Sequence, residues 1–128
     1  GYLISDNQRS VRVRASGNQA WLNIKSATIG TSRLEYEYEI PISEGIELLD
    51  SLCEKPFIEK TRHIVVYKQH TWEIDVFKGD NEGLVVAEIE LSRIGELFDK
   101  PDWLGKEVTE ERRYYNNSLY KEPYKDWK

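Results

Sequence analysis

The stretch 60–91, KTRHIVVYKQHTWEIDVFKGDNEGLVVAEIEL, restricts the fold more than any other part of the chain. Charged residues recur there at a spacing of two. Lys60 and Arg62 come first, then Glu73 and Asp75 among Trp72, Ile74 and Val76, then Glu88 and Glu90 among Ala87, Ile89 and Leu91. Side chains on a strand change face at every residue, so each charged pair shares one face and its apolar neighbours take the other. This period excludes an amphipathic helix and predicts antiparallel strands over about 57–67, 71–78 and 84–91, with turns at Gln69-His70 and Gly79-Asp80-Asn81-Glu82-Gly83. Any one such pair is also what a sheet with one wetted face shows. The recurrence of the pairs in order along the chain is what points to a site.

The same pattern runs upstream. YLIS (2–5) reads as a short apolar strand, followed by a turn at Asp6-Asn7. SVRVRA (10–15) sets Arg12 and Arg14 against Val11 and Val13, and Ser16-Gly17-Asn18 is a hairpin signal. AWLNIKS (20–26) puts Leu22 and Ile24 on one face and Trp21, Asn23 and Lys25 on the other. Thr28 to Ser32, around Gly30, reads as a loop. RLEYEYEI (33–40) opposes Arg33, Glu35, Glu37 and Glu39 to Leu34, Tyr36, Tyr38 and Ile40. Pro41 ends that strand. Ser43 is expected to cap a helix through about Glu54, with Ile46, Leu49, Leu52 and Cys53 as its apolar stripe and Pro56 as its stop. Beyond Ser92 the pattern changes to short helices and loops. Thr109 is expected to cap a final helix with Glu110 and Glu111 in its first turn, before a polar, loosely packed tail.

At 128 residues the chain is one domain with room for a core, and 39% hydrophobic and 32% charged residues mark it as globular. Its net charge of -5 argues against nonspecific binding to nucleic acid or a membrane surface. No apolar run approaches the ~20 residues of a membrane span. Cys53 is the only cysteine, so no intramolecular disulfide forms; it reads as a small buried hydrophobe, and a reducing cytoplasm fits. The chain has no methionine and opens inside a strand-like run, so a further N-terminal piece is expected. About seven strands are visible. One more would make eight, the number at which a closed barrel holds side chains or one small ligand.

Together the charged faces hold the cations Arg12, Arg14, Lys25, Arg33, Lys60 and Arg62 and the carboxylates Glu35, Glu37, Glu73, Asp75, Glu88 and Glu90. If these line one lumen, both signs share a small cavity that must be hydrated or filled by ions and ligand. The chemistry that needs both is binding of a polyphosphate with a divalent metal. Arg and Lys neutralise phosphate oxygens, and carboxylates hold Mg²⁺ or Mn²⁺. Histidine and cysteine contribute little to such a hard-metal site. His63 falls on the face opposite Lys60 and Arg62, and His70 is expected in a turn.

In order and spacing, the motifs RVR, LNIK, RLEYE, EKTR, WEIDVF, AEIEL and PDWLGKEVTEERRYYNN resemble the CYTH family, the triphosphate tunnel metalloenzymes, over nearly the whole chain. The resemblance implies an α+β, mainly antiparallel fold. Residues 1–128 would form a single CYTH domain: an eight-stranded tunnel-like β-barrel with helices packed outside. The family's opening ExExK strand, which supplies metal-binding glutamates and a phosphate-touching lysine, is absent. The chain as written is therefore expected to have an open seam, too few metal ligands and little activity. Asp75, Glu88 and Glu90 match the family's metal-binding carboxylates. Glu35 and Glu37 match acidic tunnel residues that order cations or help with metal, and Glu73 is placed with the metal set. Arg12, Arg14, Lys25, Lys60 and Arg62 match phosphate-binding cations, and Arg33 shares their faces. Arg113 either reaches a tunnel mouth or lies on the surface. In small bacterial members, the lysine matching Lys25 and the tyrosine matching Tyr2 form a dyad implicated in activating water. Neighbouring arginines lower such a lysine's pKa and neighbouring carboxylates raise it. The expected function is Mg²⁺- or Mn²⁺-dependent hydrolysis of a small-molecule triphosphate, with inorganic triphosphate preferred. Neither nucleic acid nor membrane is an expected partner, and a homodimer is the family's frequent state. The alternatives are a class IV adenylate cyclase making cyclic AMP from ATP, a noncatalytic polyphosphate- or nucleotide-binding module, and a half-open sheet with a merely solvated face.

Overall fold

The alternating stretches are strands; the chain between and after them covers part of their apolar sides, while Tyr36 and Tyr38 stay exposed. A computed structural model describes residues 1–27, 29, 32–93 and 95–127, in two compact units, Gly1–Phe57 and Ile58–Lys128. The loop expected through Thr28, Gly30 and Thr31 lies outside the described residues.

In the first unit, β1 (Tyr2–Ser5), β2 (Arg9–Ser16), β3 (Gln19–Ser26) and β4 (Glu35–Ile40) form an antiparallel meander in sequence order. Arg33 precedes β4 instead of opening it. The Asp6 turn is closed by its own carboxylate, which accepts from the backbone N–H groups of Gln8 at 2.8 Å and Arg9 at 2.9 Å. Gly17, at φ +60°, leads the two-residue turn between β2 and β3, where the backbone twist of a tight hairpin calls for glycine.

The apolar side of this sheet carries Val13 and Ala20, both fully buried. Helix α1 (Ile42–Ser51) packs on β2 and β3. Its closest approach is at Gly45, where an added Cβ would lie 2.5 Å from that of Ala20. The buried side of the helix therefore runs through Ile42, Gly45, Leu48 and Leu49. The expected stripe does not seat it: Ile46 and Leu52 are 48% and 64% exposed, and Cys53, though buried, lies past the helix end. Ser43 does not cap the helix either. Pro41 stands at the N-cap, its carbonyl accepting from Glu44 and Gly45 at 3.0 Å each, so the helix starts before Ser43.

In the second unit, β5 (Lys60–Tyr67), β6 (His70–Phe77) and β7 (Val85–Ile89) make a three-stranded antiparallel meander. The β5–β6 turn is two residues, Lys68-Gln69, with Lys68 at φ +56°. His70 is consequently the first residue of β6 and not part of the turn. Glu90 and Leu91 fall just beyond β7. Phe77, Leu84 and Leu119 form the core, joined by Ile58, Val86, Tyr114, Tyr124 and Trp127.

The C-terminal part departs from expectation. Thr109 caps no helix; its carbonyl accepts the Tyr115 hydroxyl at 2.7 Å. The only α-helical turn described there is α2 (Asn116–Leu119). Asn116, Asn117 and Ser118 are weak helix formers, and burial of aromatic rings dominates instead. Trp127 meets Tyr114 and Tyr124 edge-on at 5.0 and 5.1 Å, so the tail is packed. Buried Asn81 anchors it by accepting the Tyr124 N–H at 2.8 Å.

The strands pair as two open meanders, and no hydrogen-bonded closure into an eight-stranded barrel occurs among the described residues. No helix is long and apolar enough to cross a membrane among those residues.

Candidate functional site

Cross-strand register gathers the charged side chains of the first sheet into rows. Tyr2, Arg12, Asn23 and Glu37 form one row, Ser10, Lys25 and Glu35 a second, and Arg14, Trp21 and Glu39 a third. Tyr2 joins its row because β1 carries a bulge between Tyr2 and Ile4, which turns Ile4 to the apolar side with Val11. Lys25 Nζ is 3.8 Å from Glu35, and Arg33 approaches the same carboxylate at 3.4 Å. Asn23, 3% exposed, donates to Glu37 at 3.1 Å. The Arg14 guanidinium lies over the Trp21 ring, 4.2 Å from its centroid. Arg12 Nε is buried with no acceptor.

Burial lowers the Lys25 pKa, the charges of Arg12 and Arg33 lower it further, and Glu35 and Glu37 pull against them without reversing the direction. Burial raises the Tyr2 pKa, opposed by the Arg12 charge and hydrogen bond. Tyr2 pairs with Arg12, whereas Lys25 pairs with Ser10 and Glu35, so strand β2 with Arg12 stands between the two members of the expected dyad.

On the second sheet, Arg62 lies directly opposite Asp75, and Glu73 directly opposite Glu88. Asp75 is 2% exposed. It accepts from Arg62 Nε at 2.8 Å, Arg62 Nη2 at 3.0 Å and Lys60 Nζ at 2.9 Å. Arg62 Nη1 meets Glu73 at 2.6 Å. Burial works to raise the Asp75 pKa, but the hydrogen bonds and charges of Arg62 and Lys60 outweigh it and hold the carboxyl below its ordinary value. Glu88 and Glu90 are exposed.

No group of three or more His, Cys, Asp or Glu residues converges as a metal cage among the described residues. The nearest match in donor chemistry is the cross-strand carboxylate pair Glu73 and Glu88, an all-oxygen set suited to Mg²⁺ or Mn²⁺. Asp75 shares their face but gives both oxygens to cations. Arg113 is exposed and stacks over Trp127 at 4.0 Å, in the aromatic C-terminal cluster.

Trp21 and Asn23 stand in the charged rows on the side of Lys25, as their alternation implied. One feature was not expected from the sequence: on the opposite face of the second sheet His70 Nε2 lies 2.7 Å from Glu96, and the Ser92 hydroxyl and N–H also donate to that carboxylate. These bonds, Ser92's side chain foremost and His70 next, hold the Glu96 carboxyl down at about 2. No local pattern announces that long-range pair.

The CYTH domain family model matches residues 3–123. An inorganic triphosphatase of Acetivibrio thermocellus is 52% identical over 128 residues, covering 100% of this chain and 82% of that protein. An inorganic triphosphatase of Nitrosomonas europaea is 34% identical over 123 residues, covering 93% and 80%. The crystal structure of an inorganic triphosphatase superposes with a TM-score of 0.70 at 30% identity, over 94% of this chain and 78% of that one.

Proposed function

The chain belongs to the CYTH family, and from that premise we propose that it hydrolyses inorganic triphosphate with the help of Mg²⁺ or Mn²⁺. The observation that carries this reading is the charged face of β2 and β3. Arg12, Arg14 and Lys25 stand together there, and Arg12 Nε is a buried donor without an acceptor. Such a donor is costly to leave unmade, and a phosphate oxygen would satisfy it. The names of the curated relatives favour inorganic triphosphate over the cyclase and binding-module readings.

In this reading Arg12, Arg14, Lys25, Arg33, Lys60 and Arg62 bind and neutralise the phosphate oxygens. Trp21 keeps the Arg14 guanidinium flat. Asn23 and Arg33 fix the carboxylates Glu37 and Glu35 beside the cations. Lys25, its pKa lowered, is the base that takes a proton from the attacking water. The oxygen–phosphorus bond forms at a terminal phosphorus, the bridging bond breaks, and phosphate and pyrophosphate leave. Tyr2, its pKa raised, stays protonated and serves as a donor beside Arg12. Glu73, Glu88 and Glu90 on one sheet, and Glu35 and Glu37 on the other, are the carboxylates that would hold a divalent ion, whose chemistry is to offset charge on the phosphates, whereas Asp75, expected among them, gives both oxygens to Lys60 and Arg62.

The test is phosphate release by the full-length protein from inorganic triphosphate, thiamine triphosphate and ATP, each with Mg²⁺, with Mn²⁺ and with EDTA. Release from inorganic triphosphate that stops with EDTA is expected. Cyclic AMP from ATP, or binding without turnover, would replace the reading with the cyclase or the binding module.

A further inference from the structure

We propose that Asp75 is an internal counter-ion that an incoming triphosphate must displace from Lys60 and Arg62; this rests on the triphosphatase reading above. The Asp75 carboxylate sits where a phosphate would. Two nitrogens of the Arg62 fork and the Lys60 ammonium converge on its two oxygens at 2.8, 3.0 and 2.9 Å. A guanidinium fork plus an ammonium is the donor set that also suits a phosphate. The remaining guanidinium nitrogen, Nη1, is engaged by Glu73. These two cations are therefore occupied, in contrast to Arg12, whose Nε has no acceptor.

The exchange is one-sided. Asp75 is fixed on β6 in direct register with Arg62 and is 2% exposed, so it cannot follow a ligand outward. Lys60 and Arg62 are 21% and 41% exposed through longer side chains, so they can turn to an anion arriving from solvent. Every triphosphate bound through them gives up the Asp75 contacts, and the carboxylate reclaims both cations as the product leaves. Asp75 thus holds affinity down and favours release.

The measurement is calorimetric titration of triphosphate into the full-length protein in EDTA at fixed ionic strength. Wild type, Asp75→Asn and the Lys60→Ala/Arg62→Ala pair with and without Asp75→Asn are compared. Loss of three charge-assisted hydrogen bonds from the competing state should tighten binding to Asp75→Asn by about tenfold or more, and the gain should vanish in the Lys60→Ala/Arg62→Ala background. Unchanged or weaker binding by Asp75→Asn overturns the inference. A gain that survives loss of both cations also overturns it, because the effect would then be general charge. Removing one partner of a buried ion pair can cost the fold, so wild type supplies a second readout. The NMR resonance of the Arg62 Nε–H should shift along the triphosphate binding isotherm. A resonance that stays put at saturation, in protein that still turns over triphosphate with Mg²⁺, refutes the inference alone. No binding and no turnover refutes the triphosphatase reading and the inference with it.

Discussion

Replacing Gly45 with alanine tests how α1 is seated on the first sheet. In the middle of a helix this change ordinarily stabilises by about 1 kcal/mol, since glycine loses more backbone freedom on folding. Here the new methyl would stand 2.5 Å from the Ala20 Cβ, about 1 Å inside the ordinary carbon–carbon contact of ~3.5–4.0 Å. Ala20 is fully buried on β3 and has no rotamer through which to retreat. Relief therefore requires the helix to move off β2 and β3. Overpacking of this kind costs about 1–3 kcal/mol. After subtracting the helix-propensity gain, a net loss of up to about 2 kcal/mol remains. Urea denaturation followed by far-UV circular dichroism reads this as a lower midpoint at constant slope. Ala20→Gly in the same chain opens the space again, so the double variant should lose less than the sum of the singles, by about 1 kcal/mol of coupling. A raised midpoint for Gly45→Ala, or strict additivity of the pair, would refute the close-approach argument.

Lys68 holds φ +56° without being glycine, a conformation that costs an L-residue roughly 1–2 kcal/mol. Lys68→Gly should raise the urea midpoint, and an unchanged or lowered midpoint would show that the turn carries no such strain. Asp75 has a folded pKa below its unfolded value of about 3.9, so its pairing stabilises the fold above that pH and is lost as pH falls through the folded pKa. Wild type should thus lose its stability advantage over Asp75→Asn in acid, and a pH-independent gap between the two would contradict the assignment. The lowered pKa of Lys25 places its neutral amine within reach at lower pH than an ordinary lysine's. Turnover should rise with pH through that pKa, and Lys25→Arg should remove the limb; a limb surviving in the variant excludes Lys25 as the base. Lys60→Ala and Glu90→Ala should each abolish turnover while leaving circular dichroism unchanged, and activity retained in both would defeat the site as drawn.

The faces of the strands were legible because alternation is a local property. Arg12 and Lys25 share a side of their sheet, and Arg62 and Asp75 share a side of theirs, as their parity requires. Which residue stands opposite which was not legible. The pairing of Arg62 with Asp75 depends on a two-residue turn that asks Lys68 for a positive φ, and nothing in Tyr67-Lys68-Gln69 advertises it. The helix was found but its face was misread, since Ile46-Leu49-Leu52-Cys53 and Ile42-Gly45-Leu48-Leu49 both keep helical spacing. The choice fell to the smallest residue, through a contact with Ala20 from another strand. In the C-terminal part, caps and charges suggested a helix, and the burial of Tyr114, Tyr124 and Trp127 decided otherwise. The carboxylates were all recognisable as candidates, but only tertiary structure separates Asp75, locked by two cations, from exposed Glu88.

The bulge in β1 bears on how residues may be compared between relatives. Counting back from Ile4 by twos would assign Tyr2 to the apolar side; the extra residue between them reverses that and brings the phenol beside Arg12. A homologue lacking one residue here would offer a different side chain to the same guanidinium while every downstream column still aligned. Identity at position 2 is therefore transferable only together with the length of the segment that follows it.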